Sequence, residues 1–157
     1  WQRERDRIST WIDTHCGSES LQAFEMYPGS GKLDAALALA VRFRFDGRRR
    51  LLQTLHAIDR ELGRDGFHYR YSGMAQEEGC FIACSYWMAE AYARLGHRDD
   101  ARQRVDALNA ALGRCQGVLS EMVDPATGDY LGNTPQGLSH LAQVMAMATI
   151  ADTLDCP

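Results

Sequence analysis

Hydrophobic and polar positions along the chain describe two kinds of helix that alternate. In the first kind, charged residues surround a narrow apolar stripe, as in a surface helix with one buried face; the segments are 2–14, 48–62 and 98–112. In the second kind, apolar residues cover most of the circumference, which indicates burial on nearly every side; the segments are 33–41, 80–93 and 134–154. The predicted order is therefore outer, inner, outer, inner, outer, inner.

Short joints between these helices indicate antiparallel pairs, and Gly96-His97 is an example. Sequential pairs either close into a double ring of helices or stack into an open solenoid. A solenoid repeats its sequence at a fixed period of about 34 or 40 residues, and the chain has no such repeat. The pattern predicts an all-α fold in which helical hairpins form a ring.

Two details of these helices are specific enough to test. In the first segment, Ile8, Trp11 and Ile12 lie on one side and are predicted to face inward. In the last segment, Thr134 and Pro135 are predicted to occupy the N-cap and the first helical position, which suit these residue types.

Turn residues predict short extended pieces between the helices. Asp65-Gly66 is a turn signal, and the alternating aromatic stretch 67–71 that follows it is predicted to be extended. The segment 117–133 reads as two short strands joined by a turn over 124–128, where Pro and Gly stand at suitable positions. In a ring, such loops lie at the rim of the central cavity, where functional residues concentrate.

Composition narrows the possible functions. The chain has 157 residues, 17 Lys and Arg, 21 Asp and Glu, and a formal net charge of -4. A mildly acidic chain has no electrostatic attraction to nucleic acid or to anionic lipid. Its longest nearly uncharged run, 138–151, is shorter than a membrane span requires. The chain opens on Trp1 without a leader sequence, so we expect a fragment of a longer protein.

The five cysteines are an odd number without the close spacing of a disulfide framework, which favours a reducing, cytoplasmic compartment. Cys80 and Cys84 are four residues apart on a predicted helix, but no second ligand pair accompanies them. We therefore expect both to be core residues, and we expect neither a metal site nor a cofactor. His140, on the apolar last helix, is likewise expected to be a hydrogen-bonded core residue.

Glu121 and Arg70 are the main candidates for chemistry. Glu121 stands among apolar residues, a setting that can prepare a carboxyl group to activate water, although the spacing alone favours a solvent-facing strand residue. Arg70 lies between Tyr69 and Tyr71, where its guanidinium can bind sugar hydroxyls while the rings stack on a sugar face. The alternative for Arg70 is a surface salt bridge.

Glu78, next to Glu77, is a further candidate. Both acids come just before an inner helix, where a carboxylate interacts favourably with the helix dipole without any other role. A position at the rim of the ring would also allow contact with a bound ligand.

Several stretches together resemble one enzyme family. They are GVLSE (117–121) followed by DPATGDYLGNTPQGLSH (124–140), ELGRDGFHYRY (61–71), EGCFIACSYW (78–87) and KLDAA (32–36). The first two are similar to the C-terminal signature of family 15 of the glycoside hydrolases, which contains glucoamylases and glucoamylase-like trehalases and dextranases, and the other three resemble the same family, all in chain order. The resemblance runs over essentially the whole chain.

The resemblance implies an (α/α)6 toroid of six helical hairpins, of which residues 1–157 supply three as the C-terminal half of the catalytic domain. It implies an inverting, exo-acting α-glucoside hydrolase in which Glu121 is the general base. Arg70 matches the family's substrate-holding arginine, and Tyr71 and Glu78 fall in segments bordering the sugar site. The general acid of the family lies in an upstream Trp-Glu segment that these residues do not include.

Two functional hypotheses follow. The first is half of a glucoamylase-like hydrolase, whose partners are an α-linked glucan or disaccharide and the N-terminal half of the same domain. The second is a non-catalytic helical module that binds a carbohydrate or a protein. Because a half-ring would expose the flanks of its inner helices, we also expect the isolated chain to self-associate.

Overall fold

The computed structural model describes residues 1–45, 48–74, 79–113 and 117–152, which are mostly helical. The helices are α1 (Gln2–His15), α2 (Leu39–Arg42), α3 (Arg48–Leu62), α4 (Ile82–Arg94), α5 (Arg98–Leu112) and α6 (Gly137–Asp152), with a 3-10 helix at Ala35–Ala38. The strands are β1 (Gly17–Ser18), β2 (Ala23–Phe24), β3 (Gly63–Arg64), β4 (Phe67–His68), β5 (Cys80–Phe81), β6 (Met122–Val123) and β7 (Tyr130–Leu131). The predicted all-α class is confirmed.

Helix α4 forms the centre of the fold. Every residue from Ile82 to Ala93 is buried, and the helix packs mainly against α5 and α6. A polar network joins these three helices, because Tyr86 Oη donates to Asn109 Oδ1 at 2.7 Å and Gln143 Nε2 donates to the same oxygen at 2.9 Å. The prediction that this segment is an inner helix is confirmed.

Helices α3 and α5 bury one face each, as their patterns predict. The buried residues recur at helical spacing; they are Leu51, Leu55, Ile58 and Leu62 in α3 and Ala101, Val105, Leu108 and Leu112 in α5. Charged residues occupy the opposite faces. These two helices cover α4 from outside, and fully burying one such side chain contributes about 1.5–3 kcal/mol.

The prediction of an inner helix over 33–41 is wrong at its start. Leu33 and Asp34 are extended, because Leu33 N–H donates to Ser72 Oγ at 2.8 Å and Asp34 forms a β-bridge with Tyr71. The Asp34 carboxylate then accepts Ala36 N–H at 2.7 Å and so begins the 3-10 helix. The helix therefore begins later than predicted, because Leu33 and Asp34 pair with a distant segment of the same chain and the Asp34 side chain caps the helix at Ala36.

The predicted start of α6 at Thr134 is also wrong, since the helix begins at Gly137. Gln136 N–H donates to Leu119 O at 2.8 Å, and Glu121 N–H donates to Asn133 O at 2.9 Å. These bonds hold the segment 133–136 beside the chain leading to β6. Pairing of the same kind places the predicted helical residues Cys80 and Phe81 in β5.

Two helices present apolar residues to solvent. The inward stripe predicted for α1 is wrong: α1 buries none of its residues, and Ile8 and Trp11 are 55% and 50% exposed. Helix α6 buries one side, including Ala142, Ala146 and Ile150. Its other side shows large exposed apolar residues, namely Leu138, Leu141, Val144, Met145 and Met147.

The predicted extended segments are confirmed. Strands β3 and β4 pair antiparallel around Asp65 and Gly66, whose φ angles of 51° and 85° suit a tight hairpin turn. Strands β6 and β7 pair antiparallel, and β6 also pairs with β5, so the sheet order is β5-β6-β7. This sheet ties the start of α4 to the loop that carries Glu121.

Three further observations concern the described ranges only. Cys80 and Cys84 are buried in the core, as predicted, and burial raises the pKa of each thiol to about 12. The helices found there are too short or too polar to cross a bilayer. No group of three or more His, Cys, Asp or Glu side chains in these ranges is arranged to hold a metal ion.

Candidate functional site

Glu121 lies immediately before β6, at the N-terminal end of α4. Its backbone is fixed on both sides, since Ile82 N–H donates to Glu121 O at 3.2 Å and Glu121 N–H donates to Asn133 O at 2.9 Å. The side chain is half-buried. The carboxylate is therefore held on a rigid frame and remains accessible from one side.

Asn133 determines the orientation of the Glu121 carboxylate. Its side-chain Nδ2 donates to Glu121 Oε2 at 2.7 Å, and its backbone N–H donates to the same oxygen at 3.2 Å. No described residue donates a hydrogen bond to the other oxygen, Oε1. One oxygen is thus anchored, and the second is available to a water molecule or a ligand.

Gly132 allows this close approach. Its φ of 72° is in the left-handed region, and a Cβ atom built on it would lie 2.9 Å from Glu121 Oε2 and 3.0 Å from Glu121 Cβ. Any larger residue would push against the carboxylate side chain. The glycine of the Leu-Gly-Asn sequence at the end of β7 is therefore explained by its packing against Glu121.

Arg70 follows β4 and is paired with Asp34. Arg70 Nη1 donates to Asp34 Oδ1, and the two side chains are 31% and 16% exposed. The positive charge of Arg70 also offsets part of the rise that burial causes in the pKa of the Cys84 thiol, in the first turn of α4. The salt-bridge alternative for Arg70 is correct as a description of its partner, but the pair is partly buried and not a surface bridge.

The other two predicted site residues have different outcomes. Tyr71 is half-buried, packs against the core and is joined through its backbone to Asp34. Glu78, together with Glu77, lies outside the described residues. The alternatives given for Glu78 stay predictions.

The N-terminal end of α4 brings Glu121 and Arg70 to one side of the molecule. Glu121 O accepts from the first residue of α4, Ile82, and the segment that carries Arg70 is tied to the same turn, because His68 N–H donates to Ser85 Oγ at 3.0 Å. A carboxylate with one uncommitted oxygen and a guanidinium with unused N–H donors therefore share one end of the central helix. Both groups bind hydroxyl groups well, as a sugar ring requires.

Two residues of this site are missed by the sequence reasoning. Asp34 is the lone charge in an otherwise apolar segment, which was the available signal for a special role. Asn133 lies in the quoted Leu-Gly-Asn motif, but its contact with Glu121 crosses 12 residues and two strands. Local patterns contain no information about such a contact.

His140 supports the loop from α6. Leu119 N–H donates to His140 Nε2 at 3.2 Å, and Ser139 Oγ donates to Ser120 O at 2.7 Å. The expectation of a hydrogen-bonded histidine is confirmed, although the side chain is half-buried. Both contacts hold the backbone just ahead of Glu121 and so stiffen the frame of the carboxylate.

Comparison with known proteins places these residues in context. The chain is 32% identical over 158 residues to a trehalase of Mycobacterium tuberculosis, covering 96% of this chain and 23% of that protein. It is 35% identical to a trehalase of Mycolicibacterium smegmatis over 78% of this chain and 19% of that protein, and 29% identical to a trehalase of Thermoplasma volcanium over 98% and 26%. The chain thus spans about a quarter of the length of these relatives.

Solved structures share the fold. A wild-type glycosidase superposes with a TM-score of 0.79 at 19% identity, over 93% of this chain and 43% of that chain. A glycosidase variant in complex with glucose gives a TM-score of 0.79 at 18% identity over the same shares. No protein-family model matches the chain. The fold is therefore that of slightly less than half of a helical glycosidase chain.

Proposed function

We propose that this chain is the C-terminal half of the catalytic domain of an inverting, exo-acting α-glucoside hydrolase, and that Glu121 is the general base. The observation that carries the proposal is the arrangement at Glu121, where Asn133 anchors one carboxylate oxygen and leaves the other available. The similarity to trehalases supports the same reaction class. The general acid comes from the upstream half of the domain.

In the proposed reaction, Glu121 Oε1 accepts a proton from a water molecule as the water oxygen bonds to the anomeric carbon. The glycosidic C–O bond breaks at the same time, and the upstream acid gives its proton to the departing oxygen. Attack from the face opposite the leaving group inverts the anomeric centre. The separation of about 6.5–9.5 Å between the two carboxyl groups in inverting enzymes leaves room for the water.

Arg70 and Tyr71 are proposed to hold the sugar. The unused N–H donors of Arg70 bind hydroxyl oxygens, and the Tyr71 ring packs beside the sugar face. Glu78 is proposed to accept hydrogen bonds from sugar hydroxyl groups. These contacts orient the anomeric carbon toward the water that Glu121 activates.

Trehalose is the proposed substrate, because the curated relatives at 28–35% identity are all named trehalases. Hydrolysis of this α,α-linked disaccharide with inversion releases one β-glucose and one α-glucose. Proton NMR of the first product therefore tests the stereochemistry. Release of two α-glucose molecules before mutarotation would contradict the inverting assignment.

The deciding experiment replaces Glu121 by Gln in the full-length protein. Loss of a positioned general base lowers turnover by about 10²–10⁴-fold. Turnover of trehalose near the unmodified rate would overturn the proposal. Glu19→Gln is a matched control, because that side chain is 88% exposed and its described partner is Arg50 in α3, not a residue of the Glu121 loop.

A second variant assigns the base specifically. Azide is a nucleophile that needs no deprotonation, so it can replace the water in a protein that lacks the base. We expect Glu121→Ala to recover turnover in azide and to form β-glucosyl azide. Glu121→Ala that stays inactive in azide while still binding trehalose would argue for a different role of this residue.

The isolated segment is proposed to be inactive, because one carboxyl group cannot serve as acid and base in one inverting step. Hydrolysis of trehalose by the purified 157-residue chain that depends on Glu121 would contradict this. The non-catalytic module gains no specific support from the described residues.

A further inference from the structure

Asp34 and Arg70 form a built pair that the local pattern does not predict. The two residues are 36 positions apart, and both lie in extended segments that run side by side. The Asp34 carboxylate has two functions through one oxygen: Oδ1 accepts Ala36 N–H at 2.7 Å and also accepts Arg70 Nη1. The carboxylate cannot rotate away from Arg70 without losing the first bond.

The two segments are locked together by backbone contacts that do not involve the Asp34 side chain. Ala35 N–H donates to Arg70 O at 2.9 Å, and Ser72 N–H donates to Leu33 O at 3.0 Å. Leu33 N–H also donates to Ser72 Oγ. The relative position of the two side chains is therefore set before the ion pair contributes anything.

The contact with Asp34 fixes the orientation of the Arg70 guanidinium but does not use all of its hydrogen-bond donors. Arg70 has five N–H donors, and its described side-chain hydrogen bond uses only Nη1, toward Asp34. The side chain remains 31% exposed. Among the described residues, its Nε and Nη2 have no hydrogen-bond acceptor.

We infer that Asp34 is a positioning residue, which holds the Arg70 guanidinium in the orientation that binds the sugar. This inference rests on the proposed function. Asp34 does not touch the substrate; it fixes one edge of the planar guanidinium so that the other edge is presented to the ligand. A long, flexible arginine otherwise loses rotamer freedom on binding, and the pair removes that cost in advance.

The test uses Asp34→Asn in the full-length protein. Asn is as good an N-cap as Asp, so the 3-10 helix and the paired backbone segments should persist. The charge that fixes Arg70 is lost. We expect KM for trehalose to rise about tenfold with kcat changed less than threefold, because a charge-assisted hydrogen bond contributes roughly this much.

A double-mutant cycle separates positioning from a purely structural role. In an Arg70→Met background there is no guanidinium to orient, so Asp34→Asn should change kcat/KM less than twofold. Equal effects of Asp34→Asn in both backgrounds would overturn the inference, as would an unchanged KM in the single variant.

Asp124→Asn is the matched control. Asp124 also accepts a backbone N–H two residues ahead, from Ala126 at 2.8 Å, and its other described side-chain bond is to Thr127 N–H. It therefore shares the local role of Asp34 without the arginine. We expect its KM to stay within twofold of the unmodified protein.

Calorimetric binding of trehalose to the Glu121→Gln protein separates the positioning role of Asp34 from the catalytic role of Glu121. If Asp34→Asn weakens this binding about tenfold, the positioning role is supported whatever Glu121 does. If binding is unchanged while Glu121→Gln is inactive, the positioning inference fails and the proposed function stands. Full activity of Glu121→Gln contradicts the proposed function without touching the Asp34 result.

Discussion

Glu90 and Glu121 lie at opposite ends of α4 and have opposite environments. Glu90 is 2% exposed, and it accepts hydrogen bonds from Arg42 Nε at 3.0 Å and from Arg94 Nε at 2.7 Å, with a further contact to Arg42 Nη2. Glu121 is half-buried, and in the described ranges only Asn133 donates to its carboxylate.

The difference separates a structural carboxylate from one that can react. Burial raises the pKa of Glu90, but the two arginines outweigh burial and lower it overall, so the group stays ionised. Both of its oxygens accept from arginines and so hold α2, α4 and α6 together, the last through Arg94 Nη2, which donates to Thr149 Oγ at 3.2 Å. A carboxylate that is fully neutralised by arginines is a poor proton acceptor, whereas Glu121 keeps an oxygen in reserve.

The surroundings of Glu90 also differ from those of Glu121. A cavity of about 600 Å³ opens at that end of α4 and is lined by arginines, including Arg42, Arg44, Arg94 and Arg98. The C-terminal ends of α4 and α6 point the same way, and their dipoles are negative there. The arginines at this end therefore neutralise helix ends and Glu90.

The largest expected effect is the loss of stability when Glu90 is replaced. Glu90→Ala leaves Arg42 and Arg94 without their buried partner and should lower the free energy of unfolding by about 3–5 kcal/mol. Glu121→Gln should change it by less than about 0.5 kcal/mol, because the side chain is half-exposed. Urea midpoints followed by tryptophan fluorescence measure both, and similar midpoints for the two variants would contradict the distinction.

The second effect concerns Asp59, another structural carboxylate. It accepts from His68 Nε2 at 2.9 Å, from Tyr92 Oη at 2.7 Å and from both Arg104 amino groups at 2.9 and 2.7 Å. Burial opposes ionisation, but these donors hold the pKa of Asp59 well below its ordinary value. His68 contributes although its buried Nδ1 has no partner among the described residues.

This lowered pKa sets the sign of the acid dependence. A group whose pKa is lower in the folded protein stabilises it above the unfolded pKa, near 4, and loses that contribution as pH falls toward the folded pKa. We expect the folded protein to lose about 2 kcal/mol of stability below pH 4 through this group. Asp59→Asn should flatten the decline of the urea midpoint in this window, and an unchanged slope would exclude Asp59 as its source.

The third effect sharpens the description of Glu121. Gly132→Ala would place Cβ 2.9 Å from Glu121 Oε2 and would force a left-handed φ on a residue with a side chain. We expect about 1–2 kcal/mol of lost stability and about a tenfold lower turnover. Gly96→Ala is the control, because Gly96 has a φ of 97°, open space around the added Cβ and a position at the opposite end of α4. It should lose similar stability and keep turnover.

The smallest effect is at Asn133. Asn133→Ala removes the 2.7 Å side-chain bond to Glu121 but keeps the backbone bond. We expect turnover to fall about fivefold, corresponding to roughly 1 kcal/mol of transition-state stabilisation. Asn133→Ser, which can still donate, should recover part of the loss. A change in KM alone would indicate that Asn133 acts on the substrate instead.

The helices that the sequence predicts well are those whose packing repeats locally. In α3 and α5 the same spacing of apolar residues recurs over four turns, and the structure buries those residues. The predicted helix starts at 33 and 134 are wrong because Ser72, Tyr71 and Leu119 supply partners from elsewhere in the chain. In α1 the apolar stripe exists, but no described element covers it.

In the candidate site, too, the sequence predicts some residues and misses those that depend on distant contacts. Glu121, Arg70 and Tyr71 follow from residue type and resemblance, and the structure gathers Glu121 and Arg70 at one end of α4. Asp34 and Asn133 become apparent only through contacts across 36 and 12 residues. The roles of Glu121, Arg70, Asp34 and Asn133 in substrate binding and catalysis are predictions that the variants above test.

The sheet β5-β6-β7 also sets an order of folding. Strand β5 precedes α4, whereas β6 and β7 follow α5, so the sheet can close only after these two helices have folded back on each other. Closing so long a loop makes this step slow compared with the formation of the β3-β4 hairpin. The Glu121–Asn133 contact belongs to the local β6-β7 hairpin, so the proposed base and its anchor can meet early, whereas their attachment to α4 waits until β5 pairs with β6.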